Sequence, residues 1–257
     1  MGFIADQLRA LFTNSSNNNP AAAAGARIPI LNSNNQVVGS DSEENVAAAM
    51  AKKGVGGAVR YGNNVFIAVL ETDGYYRFYL PEYFPASSVS KAVGVLVRDG
   101  DNHIIIAKDY APSVLKWANS NVAGGTVYLG RTDAWKDHDG RAKTATVVNT
   151  LGENAPAAKF CADYYPSNVA EDQALFGKGR WWLPASGDLW MMYSHFNEIN
   201  HALSLINGTL LVQEYHWSIT ETSASIAWYL NFGNGTFYGY YGKSSYSFRV
   251  RPVSAFY

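Results

Sequence analysis

Residues 215–248, YHWSITETSASIAWYLNFGNGTFYGYYGKSSYSF, are the stretch that decides the fold. They hold 6 of the 17 tyrosines of the chain and 6 serines, but only two charged side chains, Glu221 and Lys243. In GYYGKSSYSF, at 239–248, glycine interrupts any strand periodicity, so a core does not require this mixture of residues. Tyrosine gives a large amphipathic contact surface with few rotors to freeze, and serine, glycine and asparagine give adaptable hydrogen bonds. Antibody paratopes use the same mixture, so the stretch is typical of a binding surface.

The C-terminal part of the chain predicts short strands separated by Gly and Asn turns. In AWYLNF, Trp228, Leu230 and Phe232 fall on one face of a strand, and Tyr229 and Asn231 fall on the other. We expect the first face to pack in the core. Packing of that face does not require tyrosines on the other face or in the loops, so we expect those tyrosines at the surface.

The overall composition limits the class of protein. Of 257 residues, 47% are hydrophobic and 16% are charged, which is typical of a globular protein with an uncharged, aromatic-rich surface. A formal net charge of -1 gives no electrostatic footprint for nucleic acid, and no run of the chain approaches the roughly 18 apolar residues of a membrane span. The lone Cys161 excludes an internal disulfide framework and most thiolate metal sites. We therefore expect no nucleic-acid partner and no membrane insertion.

The N-terminal part divides into a helix, a linker and a small β-rich region. Apolar residues in MGFIADQLRALF fall at helical spacing, and the polar tract TNSSNNNPAAAAGA follows as a flexible linker, so we assign residues 1–26 to these two elements. RIPILNSNNQVVGS and VRYGNNVFIAVLETDGYYRFYLP then predict short strands around Asn and Asp-Gly turns. We assign residues 27–90 to a β-rich attachment or oligomerisation region.

The pattern changes to a mixture of helices and strands at about residue 91. KAVGVLVRDGDNHIIIAKDY predicts a hairpin with its turn at 99–102, and residues 143–151 and 156–165 predict helices. Apolar residues recur three or four apart from 189 to 206, which predicts one long amphipathic helix. With the strands after it, this order of elements predicts an α+β domain across 91–257.

Five motifs in this domain carry a resemblance to a known family. Read together, DGRAKTATVVNT, GRWWLPASGDLW, HWSITE, AWYLNF and FRVRPVSAF resemble the C-type lectin-like domain of variable proteins from diversity-generating retroelements, a group that includes phage tropism determinants. The similarity covers roughly residues 91–257. It implies a domain of short twisted antiparallel strands with two or three helices. In that family adenine-directed mutagenesis rewrites the last segment of the gene, which implies a variable region at about residues 215–256 here.

The resemblance also implies which residues are fixed and which are diversified. Trp217, Ser218, Thr220 and Glu221 match the fixed WSSTE-like signature, and Ile219 stands where a second Ser is common. Between the fixed positions, side chains of the diversified kind are expected to face solvent together and to bind the ligand. They are Tyr215, His216, Ile219, Thr222, Ser223, Ser225, Ile226, Tyr229, Phe237, Tyr238, Tyr240, Tyr241, Ser244, Ser245 and Tyr246.

Other groups of polar residues in the chain are candidates for chemical sites. Asp133, Asp137 and Asp139 in RTDAWKDHDG could suggest calcium, but the spacing is not that of an EF-hand loop and no bidentate Glu follows. We favour a polar loop whose Asp residues cap the next helix. His195 beside Ser194 has no nucleophile elbow or oxyanion motif nearby. We therefore predict no catalytic residue, no metal site and no cofactor.

The function that the resemblance implies is that of a phage tail-tip receptor-binding protein, which binds a protein or glycan on the host-cell surface. Asp6, Gln7 and Arg9 lie inside what would have to be the apolar region of a signal sequence, so we expect assembly into the virion from the cytoplasm. The N-terminal region is expected to contact other tail proteins and to hold a homotrimer together. One alternative is a bacterial surface adhesin or fimbrial tip with the same domain, which needs an export signal. A second is a formylglycine-generating-type enzyme, which needs a cysteine pair where this chain has Cys161 alone.

Overall fold

The computed structural model gives the backbone of some residues and the complete structure of others. It describes the backbone of 27–31 and 37–42, and the whole of 64–72, 74 and 76–255. The predicted N-terminal helix and linker, residues 1–26, lie outside the described residues. Strand β1 (Arg27–Leu31) pairs antiparallel with β2 (Val37–Ser42), which confirms the two strands predicted from RIPILNSNNQVVGS.

Helices and antiparallel strands are mixed along the described chain, which is of the α+β class as predicted. The further strands are β3 (Val65–Leu70), β4 (Tyr76–Tyr79), β5 (Ala92–Asp99), β6 (Asn102–Ala107), β7 (Leu115–Lys116), β8 (Tyr215–Glu221), β9 (Ala227–Asn231), β10 (Thr236–Tyr238), β11 (Ser247–Phe248) and β12 (Val253–Ser254). The α-helices are α1 (Arg131–Ala134), α2 (Gly140–Leu151), α3 (Pro156–Asp163), α4 (Ser186–Ser194) and α5 (Phe196–Leu205). Short 3-10 helices lie at Pro81–Tyr83, Ala86–Lys91 and Gly152–Asn154.

The largest described sheet has five strands in the order β12-β6-β5-β3-β4, and each neighbouring pair is antiparallel. The predicted hairpin is confirmed, because β5 pairs with β6 from Gly94 to Asp99. Both strands are apolar almost throughout because both faces of the sheet are covered. Val95 packs on one side with apolar side chains of α4 and α5, and Leu96 packs on the other side with Trp181.

This sheet crosses the predicted domain boundary between residues 90 and 91. β3 pairs with β5 along most of its length, and β4 adds the edge strand beside β3. Ile67 belongs to the same core as Val95, and Phe66 belongs to the core on the other side of the sheet. The boundary therefore needs correction, since β3 and β4 complete two cores that β5 and β6 cannot cover alone.

The single long helix predicted from 189 to 206 is wrong, because the structure has two helices that meet at His195. His195 leaves the helical conformation at φ -113° and ψ 26°, where α4 ends and α5 begins. Leu189 of α4 and Ile199 of α5 are nevertheless buried in one core. Because both helices bury the same face, the apolar periodicity continues across the bend and does not reveal it.

A second sheet of three strands, in the order β10-β9-β8, carries the tyrosine-rich stretch. Trp228, Leu230 and Phe232 are buried in the same core as α4 and α5, which confirms the predicted inner face of AWYLNF. The opposite face was predicted to be open to solvent, and this is wrong because it is covered. Tyr229 packs there with Trp217 in another core, against side chains of α2 and α3. The sheet therefore lies between two cores.

The two helices that cover this second core lie close to their predicted positions. The prediction of 143–151 becomes α2 at Gly140–Leu151, and the prediction of 156–165 becomes α3 at Pro156–Asp163. Pro156 begins α3, where its missing N–H is not needed by the helix. Of the helices that the structure describes, none has the length and apolar character needed to cross a membrane.

Candidate ligand-binding site

The structure places the predicted binding residues in two environments. Four of them are buried: His216, Ile219, Tyr229 and Phe237. The others are exposed or half-buried, and they are Tyr215, Thr222, Ser223, Ser225, Ile226, Tyr238, Tyr240, Tyr241, Ser244, Ser245 and Tyr246.

Five aromatic side chains of the second group form one surface, the tyrosine face, made of Tyr215, Tyr238, Tyr240, Tyr241 and Tyr246. The ring centroid of Tyr241 lies 4.2 Å from that of Tyr246 and 6.1 Å from that of Tyr215. The centroids of Tyr238 and Tyr240 lie 5.3 Å apart, and Tyr240 is 72% exposed. These are contact distances for aromatic rings. The predicted tyrosines thus lie together, four of them exposed and Tyr241 half-buried.

Tyr229 lies beneath the tyrosine face and joins its two parts. Its ring centroid is 4.9 Å from Tyr241 in a stacked arrangement, 5.7 Å from Tyr215 and 6.3 Å from Tyr238. Burial raises the pKa of the Tyr229 hydroxyl, and the neighbouring tyrosines add to this effect. Tyr229 was predicted to face solvent, and this is wrong because the chain after β10 folds back over β9, where Gly242 bridges to Ile226. Tyr229 is a base for the face and is covered by it.

A buried ion pair holds the loop of residues 239–246, which carries three of the tyrosines of the face. The side chains of Glu221 and Lys243 are both 0% exposed, and the ammonium of Lys243 donates a hydrogen bond to a Glu221 carboxylate oxygen. The same ammonium donates to the carbonyl oxygens of Val122, at 3.0 Å, and Ala224, at 2.9 Å. These bonds use all three donors of the ammonium, so the loop is tied to three separate points.

The Glu221 carboxylate also has hydrogen-bond donors other than Lys243. Its carboxylate accepts hydrogen bonds from the backbone N–H of Gly124 at 2.7 Å and from the Thr126 hydroxyl at 2.5 Å. A Cβ at Gly124 would lie 2.8 Å from Glu221 and from the Trp117 ring, so only glycine fits there. The ammonium of Lys243 lies 4.2 Å from the centroid of that ring, a cation–π distance. Burial lowers the pKa of Lys243 and the charge of Glu221 opposes this shift.

The loop of residues 119–130 meets the loop that carries the face at Asn121, a contact that the sequence did not reveal. The Asn121 side-chain oxygen accepts hydrogen bonds from the Ser244 hydroxyl at 2.8 Å and from the Ser244 N–H at 3.3 Å. Val127 is 71% exposed and Tyr128 is 46% exposed, between Thr126 and Leu129, which both bond to Glu221. The contacts join residues about a hundred positions apart, and no local pattern signals such a contact.

His216 was predicted on the binding face, but the structure buries it at 1% exposure. Its Nδ1 lies 2.9 Å from the Glu214 carbonyl oxygen, which can only accept, so Nδ1 carries the proton. Its Nε2 then accepts from the Tyr110 hydroxyl at 2.7 Å, and its ring stacks on Phe232 with centroids 4.0 Å apart. Burial lowers the pKa of His216 to about 3. The residue is a neutral part of the core.

Ile219 and Phe237 are also corrected from binding face to core. Ile219 is 0% exposed and lies in the middle of β8, whose two faces are both covered. Phe237 is 3% exposed and stacks on Trp228 with ring centroids 4.4 Å apart. Alternation along β10 places Phe237 inward, and the next residue, Tyr238, faces outward.

Asp137 and Asp139 of RTDAWKDHDG do not cap the next helix through their side chains as predicted. Asp137 is buried and accepts hydrogen bonds from the Lys143 ammonium and the Thr220 hydroxyl, both at 2.5 Å, which joins α2 to β8. Asp139 precedes α2 without capping it through its side chain, so the predicted capping role is wrong for this residue. Within the part of the chain that the structure describes, no three His, Cys, Asp or Glu side chains are grouped so that they could hold a metal ion.

Comparison with known proteins gives one likeness in fold. No family model matches this chain, and no curated protein is similar to it in sequence. A solved fimbrial protein from Bacteroides ovatus ATCC 8483 is similar in structure, with a TM-score of 0.54 and 11% sequence identity. The match covers 74% of this chain and 48% of the fimbrial protein, so the chain spans about half of that protein's length. At this identity the likeness concerns the fold alone.

Proposed function

We propose that the protein is a non-catalytic attachment protein that binds a protein or glycan at a bacterial cell surface through the tyrosine face. The observation that carries the proposal is the contiguous surface of five tyrosines around the buried ring of Tyr229. Large contiguous apolar patches on a monomer surface commonly mark interaction sites. Tyrosine is also among the residues that contribute most to binding free energy at protein interfaces.

The buried ion pair beneath the tyrosine face favours a binding role for the tyrosines over the alternative that they only belong to a half-buried strand edge. Glu221 and Lys243 fix the loop that carries Tyr240, Tyr241 and Tyr246 without reaching the surface themselves. A face held in advance loses less conformational entropy when it binds a partner. The buried pair therefore supports a surface that is positioned for recognition.

We further propose that the domain is C-type lectin-like and belongs to the variable proteins of diversity-generating retroelements. The division between framework and face supports this, because Trp217, Trp228 and Glu221 are buried while most residues of the diversified kind are at the surface. Only surface positions tolerate repeated substitution without the cavity or overpacking costs of a core. The test is the DNA beside the gene: a reverse transcriptase gene and an imperfect repeat that differs at adenines are expected, and their absence would contradict the assignment.

Two settings for such a protein are open to test. The first is the tip of a phage tail, where the protein would act as a tropism determinant. The second is a surface adhesin or fimbrial tip, which the fold likeness to a fimbrial protein favours. Antibody labelling of purified phage particles and of intact cells from the strain that carries the gene separates the two settings. A tail-tip protein predicts label on the particles only, and a surface adhesin predicts label on the cells only.

Binding itself is tested on intact cells of that strain and of related strains. Fluorescently labelled protein should bind a subset of the strains, saturate with concentration and be displaced by unlabelled protein. No saturable binding to any strain would contradict an attachment function.

A further inference from the structure

A concave site apart from the tyrosine face lies among the β5–β6 turn, the segment after α1 and the start of α4. It is a cavity of about 250 Å³, and its walls include Asp99, Asn102, Trp135, Lys136, His138 and Trp190. Small-molecule sites are commonly about 300–1,000 Å³, so this cavity is suited to one small ring. Nothing in the proposed attachment through the tyrosine face uses these residues.

The alternation of β10 separates the cavity from the tyrosine face. Phe237 and Tyr238 are consecutive on the strand, and their side chains point to opposite faces of the sheet. The Trp135 ring packs on Phe237 with centroids 5.7 Å apart, whereas Tyr238 belongs to the tyrosine face. A ligand in the cavity therefore lies across the strand from a ligand on the tyrosine face.

The aromatic wall of the cavity is a pair of tryptophans. The ring centroids of Trp135 and Trp190 lie 4.2 Å apart at an angle of 53°, and Trp190 stacks on Tyr193 with centroids 5.3 Å apart. Trp135 is 37% exposed. A tryptophan held by packing on one side and open on the other offers a flat apolar surface to a ligand.

The polar wall is organised by a buried carboxylate. Asp188 is 1% exposed, accepts a hydrogen bond from the Ala185 N–H at 2.9 Å, and lies 2.8 Å from Nδ1 of His138. This contact fixes the imidazole so that Nδ1 donates to Asp188. A Cβ at Gly187 would lie 2.7 Å from His138 Nε2, so the floor of the cavity has room for the imidazole only because residue 187 is glycine.

The charges of the cavity indicate the class of ligand. Asp99 brings one negative charge and Lys136 one positive charge, and both residues are exposed beside the exposed amide of Asn102. Lys136 and His138 would oppose the binding of a cationic ligand, and Asp99 would oppose the binding of an anionic ligand. A neutral ring with several hydroxyl groups can bond to all of them, since hydroxyls both donate and accept.

We propose that this cavity binds a single neutral pyranose unit, whose apolar C–H face stacks on Trp135 while its hydroxyl groups bond to Asp99, Asn102 and His138. The site would add a second, saccharide-specific contact to a molecule that carries the tyrosine face. Its test is independent of the tyrosine face, so either assignment can fail without the other.

The experiment uses the full chain and a panel of methyl glycosides of glucose, galactose, mannose and N-acetylglucosamine. Saturation-transfer NMR and tryptophan fluorescence titration should detect at least one glycoside, with a Kd on the order of 1 mM. Trp135→Ala and Asp99→Asn should each raise that Kd at least about tenfold. The control Tyr165→Ala, 37% exposed and outside both the cavity and the tyrosine face, should leave it unchanged, and near-UV circular dichroism verifies that each variant is folded.

Three results would overturn the proposal. The first is no saturation transfer to any glycoside of the panel at concentrations on the order of 10 mM. The second is glycoside binding that Trp135→Ala and Asp99→Asn leave intact. The third is binding of tetramethylammonium in place of every glycoside, which would make the cavity a cation site.

Discussion

Glu221 and Lys243, the only two charged side chains of residues 215–248, form an ion pair that is completely buried. The pair joins the end of β8 to the loop of residues 239–246, and Glu221 also holds the loop around Gly124. Both loops border the tyrosine face. The charged residues of the stretch are thus positioned to support the recognition surface from below, while uncharged side chains form it.

We predict that Lys243→Met destabilises the protein by about 3–5 kcal/mol, because it leaves the Glu221 carboxylate buried without its counter-charge. Urea unfolding measures the change. Lys116→Met, at an exposed position of β7, is the control and should change the free energy of unfolding by less than about 0.5 kcal/mol. Equal effects of the two substitutions would show that the buried pair does not hold the loop.

We predict that His216 makes stability fall as the pH is lowered from about 6.5 to about 3. The folded state holds His216 neutral with its pKa lowered to about 3, whereas in the unfolded chain it takes up a proton near pH 6.5. Between these values the unfolded state binds the extra proton, so the free energy of unfolding decreases as the pH falls. Urea unfolding of the wild type and of His216→Gln at several pH values isolates this contribution, and the variant should lose less stability on acidification. Parallel pH profiles would contradict it.

We predict different roles for two aromatic residues of the same stretch. Trp228→Ala should destabilise the protein by about 3–5 kcal/mol, because it removes a buried ring from the core. Tyr240→Ala should leave thermal unfolding almost unchanged, since the side chain is 72% exposed. Calorimetry of both variants checks this. A similar loss of melting temperature in the two would refute the division into framework and face.

We predict that the full chain is a trimer held by its N-terminal region. One face offers a patch on the order of 800 Å² at best, and several linked faces raise avidity by roughly 10² to 10⁴. Light scattering after size exclusion should find a trimer for the full chain and a monomer for a chain that starts at residue 64, which keeps β3 in its sheet. A monomeric full chain at micromolar concentration would refute the prediction, and a trimeric shortened chain would move the assembly surface into the described domain.

Local patterns predicted those elements whose signals are local. The β5–β6 hairpin, helix α3 and the inner face of AWYLNF follow from turn residues, the proline at 156 and strand alternation. The bend at His195 was missed because the helices on both sides of it bury one face. The apolar periodicity indicates which face of a helix is buried, but it does not indicate whether the helix axis continues without a bend.

The parts of the site that were missed depend on contacts between distant segments. Tyr229 is buried because the loop of residues 239–246 folds over it. Strand alternation alone does not indicate that another segment covers the outer face of the strand. The loop around Asn121 meets Ser244 across more than a hundred residues. The composition of the stretch indicated a binding surface, but the three-dimensional contacts decide which of its residues belong to the surface.

The central claim is that the tyrosine face is the part of the molecule that binds the cell-surface ligand. The most direct measurement compares the cell binding of Tyr240→Ala with that of Tyr165→Ala, a tyrosine outside the face that is 37% exposed. On cells that bind the wild type, we expect Tyr240→Ala to raise the apparent Kd at least about tenfold and Tyr165→Ala to leave it unchanged. The claim would be contradicted if Tyr240→Ala bound the cells with the Kd of the wild type. It would also be contradicted if both variants lost the same amount of affinity.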